Sequence, residues 1–126
     1  MRILVVDDSS VIRRKAAEIL EQAGHECDLA ENGLEGIKMA LSNTYDAILT
    51  DIVMPVLDGL KLILRLRAGA KTREVPILVL TSRSDSDTVL QARELGVDGY
   101  LLKPLDPDTL LQRLTTLRRR PTDQTG

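Results

Sequence analysis

Ile3-Leu4-Val5-Val6-Asp7-Asp8 is a short, unbroken apolar run that stops on two carboxylates. Four consecutive apolar residues without polar alternation are the pattern of a strand buried on both faces, as strands of a parallel sheet are. The pattern returns downstream. Ala47-Ile48-Leu49 runs into Asp51, residues 77–80 run into Thr81, and Tyr100-Leu101-Leu102 runs into Lys103, while 26–30 forms a weaker strand. Helical stretches separate these runs. From Ser9 onward Ile12, Ala16, Ile19, Leu20 and Ala23 recur at helical spacing, with Gly24 where a C-terminal cap glycine belongs. Further helices are expected over 33–41 and 59–68, from a Ser84 cap to Gly96, and from Asp106-Pro107 through Leu110, Leu111, Leu114 and Leu117. Five strands alternating with five helices make an α/β protein with a doubly wound five-stranded parallel sheet, because parallel strands need crossover connections that cover both faces.

At 126 residues the chain suits one domain, expected over 1–120, with 121–126 a polar tail or linker stub. The composition, 43% hydrophobic and 29% charged, excludes disordered and fibrous classes, and no apolar run approaches the ~18 residues of a membrane span. A cytoplasmic location is expected. The single Cys27 cannot form an internal disulfide and reads as strand packing. A net charge of -2 argues against a nucleic-acid surface, and Tyr45 and Tyr100, the only aromatic residues, are too few to clamp a flavin or a base. His25 falls at the start of the second strand and reads as structural, and the basic run Arg118-Arg119-Arg120 reads as complementing a helix C-terminus.

The reactive side chains share one kind of position. Asp7 and Asp8 follow the first strand, Asp51 ends the third, Thr81 the fourth and Lys103 the fifth, all at carboxyl ends, where open doubly wound sheets bind ligands. Carboxylates gathered there repel one another by about 4 kcal/mol per pair at ~4 Å and an effective dielectric of ~20, more than one lysine offsets. Mg²⁺, which takes oxygen ligands and keeps waters, suits them. With Lys103 and Thr81 as donors to phosphoryl oxygens, Asp51 is placed as a nucleophile for phosphoryl transfer.

Asp7-Asp8, Asp51 with Met54-Pro55 and Asp58-Gly59, Thr81-Ser82 and Lys103-Pro104, in this order over residues 2–118, resemble the receiver domains of two-component response regulators, chemotaxis regulators among them. The resemblance implies a flavodoxin-like strand order of 2-1-3-4-5. It implies Asp51 as phosphoacceptor, Asp7, Asp8, Asp51 and the backbone carbonyl of Val53 around Mg²⁺, and Thr81 and Lys103 on the phosphoryl group. Tyr100 would be a switch aromatic moving with Thr81, against the plainer reading of a half-buried strand residue with its hydroxyl in water. The Lys103-Pro104 bond is expected to be cis. Val53 and Arg83 would flank the phosphoryl group and tune its hydrolysis.

The implied partners are a sensor histidine kinase or phosphotransfer protein, and a downstream target or effector domain on the face of the fourth helix, fifth strand and fifth helix. A phosphorylation-dependent homodimer is a further partner. Membranes are not expected as partners, and neither is nucleic acid bound directly by this domain. Such a chain is not an enzyme beyond its own phosphorylation and dephosphorylation. Two departures from the family pattern are Leu105, where an aromatic often follows Lys-Pro, and Ser82, where alanine is frequent. A haloacid-dehalogenase-like phosphatase would also use an aspartyl nucleophile with Mg²⁺, but it wants a second aspartate two residues on, where Val53 stands.

Overall fold

The computed structural model describes residues 1–82 and 86–117. Five strands, β1 (Arg2–Val6), β2 (Glu26–Ala30), β3 (Ala47–Asp51), β4 (Ile77–Thr81) and β5 (Gly99–Leu102), alternate with α1 (Ser10–Gln22), α2 (Gly33–Ser42), α3 (Gly59–Ala68), α4 (Ser86–Glu94) and α5 (Pro107–Thr115). All strand pairs are parallel, in the order β2-β1-β3-β4-β5. The expected doubly wound sheet is therefore present.

Residue alternation along each central strand divides the core in two. Leu4, Val6, Ile48, Ile77 and Val79 face α2, α3 and α4, where Ile37, Ala40, Leu62, Ile63, Leu66 and Ala92 meet them. Ile3, Val5, Ala47, Leu49, Leu78 and Leu80 face α1 and α5, against Ala16, Ile19, Leu20, Leu110 and Leu114. Burial on both sides is why β3 and β4 read as continuous apolar runs. β2 is an edge strand and is half exposed, which explains its weaker pattern. Cys27 is half-buried and packs against the α1 side, and burial pushes its thiol up to about 12, as a packing role requires.

Local signals set the helix ends. Ser9, Asn32, Asp58 and Asp106 each accept a hydrogen bond from the backbone three residues on, and Pro107 opens α5. Gly24 and Gly96 take positive φ just beyond α1 and α4. The α5 helix ends at Thr115, so Leu117 lies past it but still packs against the core. The expected cap Ser84, Arg83, the basic run 118–120 and the tail 121–126 lie outside the described residues. No helix among the described residues is long and apolar enough to cross a membrane.

Candidate functional site

Sheet register brings the reactive residues to one edge. Val6 lies beside Thr50, Asp51 beside Leu80 and Thr81 beside Leu102. Asp7, Asp51, Thr81 and Lys103 therefore each stand on, or one residue past, the end of a neighbouring strand. Asp7, Asp8 and Asp51 each offer a carboxylate oxygen within 4.8 Å of the others. Asp7 is fully buried, Asp51 is 8% exposed, and Asp8 opens to solvent.

Backbone amides orient two of these groups: Ser9 N–H donates to Asp7 Oδ1 at 2.9 Å and Ile52 N–H to Asp51 Oδ1 at 2.8 Å. The second oxygens turn toward Lys103, whose Nζ lies 2.9 Å from Asp7 Oδ2 and 3.1 Å from Asp51 Oδ2. Burial pushes the Asp51 carboxyl above its ordinary range and the Asp7 charge adds to this, while Lys103 and the Ile52 amide hold it back. Burial works against the Lys103 ammonium, but its contacts with Asp7 and Asp51 outweigh that and hold the amine above the usual lysine range.

Asp7 Oδ2 meets the ammonium as an ion pair without hydrogen-bond geometry. It is the one buried side-chain nitrogen or oxygen among the described residues that lacks a hydrogen bond. A buried carboxylate oxygen with an unused lone pair, beside two further carboxylates and one lysine, fits a hard divalent cation with oxygen ligands.

The remaining predicted residues fall around this centre. Thr81 is buried at the end of β4, and its carbonyl accepts the Lys103 N–H at 2.8 Å. Lys103-Pro104 is cis, as expected, and Leu105 is buried in the position an aromatic often takes. Tyr100 is half-buried, and its hydroxyl donates to the Val89 carbonyl of α4 at 3.1 Å, so the hydroxyl is bonded to protein rather than standing in water. The Val53 side chain is 77% exposed on the loop after Asp51. His25 lies away from the carboxylates, with Nδ1 3.2 Å from the chain's terminal amine.

Two contacts at the site were not legible in the sequence, where Gly59 stands only within the family motif and Arg13 within a helix. Gly59, the first residue of α3, donates its N–H to Ile52 O at 2.7 Å and packs directly on the Asp51 carbonyl. Arg13 Nη1 donates to the backbone carbonyl of Asp7 at 2.7 Å. A signal existed for Arg13: side chains lean toward the N-terminus of their helix, and position 13 lies in the opening turns of the helix that follows Asp7.

The fold and site define a phosphoryl-accepting signalling module, and comparison with known proteins agrees. Residues 3–115 match the response regulator receiver domain model, and the chain belongs to that family. Receiver domains of this family accept a phosphoryl group on an aspartate, bind Mg²⁺ in their acidic pocket, and act as switches in two-component systems with histidine kinases. The phosphate regulon transcriptional regulatory protein PhoB of Pseudomonas aeruginosa is 38% identical over 118 residues, 94% of this chain and 52% of that protein. The transcriptional regulatory protein PcoR of Escherichia coli is 37% identical over 98% of this chain and 54% of its own length. The chain thus spans about half the length of these relatives. Among solved structures, chemotaxis protein CheY4 of Vibrio cholerae superposes with a TM-score of 0.86 at 33% identity, covering 90% of this chain and 95% of that one. The receiver domain of sensor histidine kinase PA1611 of Pseudomonas aeruginosa, with magnesium coordinated in its active site cleft, gives 0.84 at 32% identity, covering 90% and 93%.

Proposed function

We propose that Asp51 is the phosphoacceptor of this chain, charged in the cytoplasm by a sensor histidine kinase or a phosphotransfer protein. The observation that carries this reading is the placement of Asp51: one oxygen is fixed by Ile52 N–H, the other faces Lys103, and the carboxylates of Asp7 and Asp8 stand beside it. An Asp51 oxygen bonds to phosphorus while the bond from phosphorus to the donor nitrogen breaks, and the imidazole leaves with that electron pair. Asp7, Asp8, Asp51 and the Val53 backbone carbonyl would hold Mg²⁺. When bound, the cation supplies positive charge for the carboxylates and the phosphoryl oxygens. Lys103 gives the phosphoryl group a counter-charge and the Thr81 hydroxyl gives it a donor.

The signal leaves through Tyr100, whose hydroxyl bond to Val89 links β5, next to the site, with α4. A shift of Thr81 toward the phosphoryl group would free Tyr100 to turn inward and change the face formed by α4, β5 and α5. That face would bind a target, an effector domain or a second copy of the chain.

Incubation with acetyl phosphate and Mg²⁺, followed by intact-mass measurement, tests the reading. Stable addition of one phosphoryl group, lost in Asp51→Asn and in EDTA, is expected. Continuous turnover of the donor without stable labelling would make the chain a hydrolase. Labelling retained in Asp51→Asn would place the acceptor elsewhere.

A further inference from the structure

We propose that Arg13 is a positioning residue for the cation-binding aspartates, acting through the peptide that joins Asp7 to Asp8; this rests on the Mg²⁺ site read above. Asp7 follows the last residue of β1, where the sheet ladder runs out. Its N–H still reaches Ala30 O at 3.1 Å, Oδ1 is taken by Ser9 N–H, and Oδ2 faces Lys103. Neither the strand nor the α1 cap serves the carbonyl oxygen of this buried residue, and a buried carbonyl left unpaired is costly. Arg13 Nη1 supplies the bond at 2.7 Å, a short, charge-assisted contact.

That carbonyl is half of the Asp7–Asp8 peptide, and a planar peptide turns as one unit. Holding its oxygen therefore sets the direction in which Asp8 leaves Asp7. Asp8 has no restraint of its own, because none of the described residues bonds its exposed carboxylate. Its distance from Asp7 and Asp51 is thus governed by its backbone, and Arg13 is the side chain that holds this backbone.

The location of Arg13 supports a role beyond helix stability. Near a helix N-terminus a cation opposes the macrodipole, and α1 has no acidic residue in its first turn to relieve it. For the helix alone, a positive residue here is unfavourable.

Charge and geometry predict opposite outcomes. Through charge alone, removing Arg13 would draw a cation in more tightly. Through geometry, it would loosen Asp8 and weaken binding, as loss of a residue supporting metal ligands does by about tenfold or more.

The test uses Arg13→Met, which keeps the apolar stem without a donor, Arg13→Lys, which restores one donor, and the exposed neighbour Arg14→Met as control. Mg²⁺ titration calorimetry on the full chain gives Kd, circular dichroism melts in EDTA report folding, and acetyl phosphate labelling is followed against Mg²⁺ concentration. Arg13→Met is expected to raise the Mg²⁺ Kd by about tenfold, with the labelling rate largely recovered at saturating Mg²⁺. Arg13→Lys should recover part of the affinity, and Arg14→Met should not weaken binding. An unchanged or tighter Kd in Arg13→Met, beside normal binding by the unaltered chain, overturns the positioning role and leaves the site reading intact. A loss that Arg13→Lys does not relieve, accompanied by a lower melting temperature, also overturns it, since it marks a merely structural residue. Absence of Mg²⁺ binding by the unaltered chain overturns the site reading itself.

Discussion

Gly59 lies against the carbonyl of Asp51 so closely that a Cβ added there would fall on the carbonyl oxygen and stand 2.7 Å from Ile52 Cα. The start of α3 is in this way packed onto the backbone of the nucleophile. Both atoms it would strike are backbone, so no side chain can rotate aside. Gly59→Ala is expected to destabilise the fold by about 2–3 kcal/mol, the scale of overpacking, and to slow labelling of Asp51 more than the stability loss explains. Urea denaturation and acetyl phosphate kinetics at the same temperature check both parts.

Asp51 is a carboxylate in a place that disfavours its charge. Its folded pKa lies above the unfolded value because of burial and the Asp7 charge, so its contribution to stability is present below the unfolded pKa and is lost as pH rises through the folded one. At pH 7, without a cation, the charge therefore costs stability. Asp51→Asn should raise stability in EDTA by roughly 1 kcal/mol, because the burial cost and Asp7 repulsion it removes exceed the Lys103 attraction it gives up, and Mg²⁺ should stabilise the unaltered chain more than the variant. Thermal melts with and without Mg²⁺ give the four values needed; a less stable Asn variant in EDTA contradicts the electrostatic account.

At the opposite edge of the sheet, the Tyr45 hydroxyl donates to Asp28 Oδ2 at 2.7 Å, and Arg2 Nη2 reaches the same oxygen at 3.0 Å. Burial, then the bond to Asp28, push the phenol from 10.0 up to about 12. The unfolded chain loses this proton first, so stability should be full below pH 10 and fall between 10 and about 12. Tyr45→Phe should cost about 1 kcal/mol at pH 7 and remove that share of the alkaline decline. Melting temperatures measured from pH 8 upward should converge for the two proteins, and parallel curves would exclude Tyr45 as the titrating group.

Val56 holds φ at 71° with its side chain 73% exposed. A β-branched residue is costly in the left-handed region, and exposure returns nothing in burial. Val56→Asn should stabilise the chain by about 1 kcal/mol, and Val56→Gly by less, because glycine loses more chain entropy on folding. Denaturant midpoints rank the three proteins.

The lifetime of the phosphorylated state should depend on Val53. Its exposed, branched side chain offers no hydrogen bond to a water attacking in line with the Asp51–phosphorus bond, and it stands two residues from that bond. Arg83, outside the described residues, is assigned to the same face by family resemblance. Val53→Asn, Arg83→Glu and the double variant should each lose the phosphoryl group several-fold faster than the unaltered chain, measured as first-order decay after the donor is removed. Unchanged or slower decay in all three would remove both residues from this role.

The two-faced apolar runs at 3–6, 47–49 and 77–80 were enough to name strands, and Ser9, Asp58 and Asp106-Pro107 were enough to place helix starts, because period and capping act over a few residues. The same locality made it visible that Asp7, Asp51, Thr81 and Lys103 end their strands. Strand order and register join residues up to about a hundred positions apart and leave no local trace. They decided that a single Lys103 ammonium reaches both Asp7 and Asp51, and that Asp7 Oδ2 is left without a hydrogen bond. The Arg13 contact to Asp7 O, the Tyr100 bond to Val89 O and the fit of Gly59 over Asp51 O are likewise side chain or packing against backbone. Every residue carries the same carbonyl, so only the packed chain determines which one a given side chain meets.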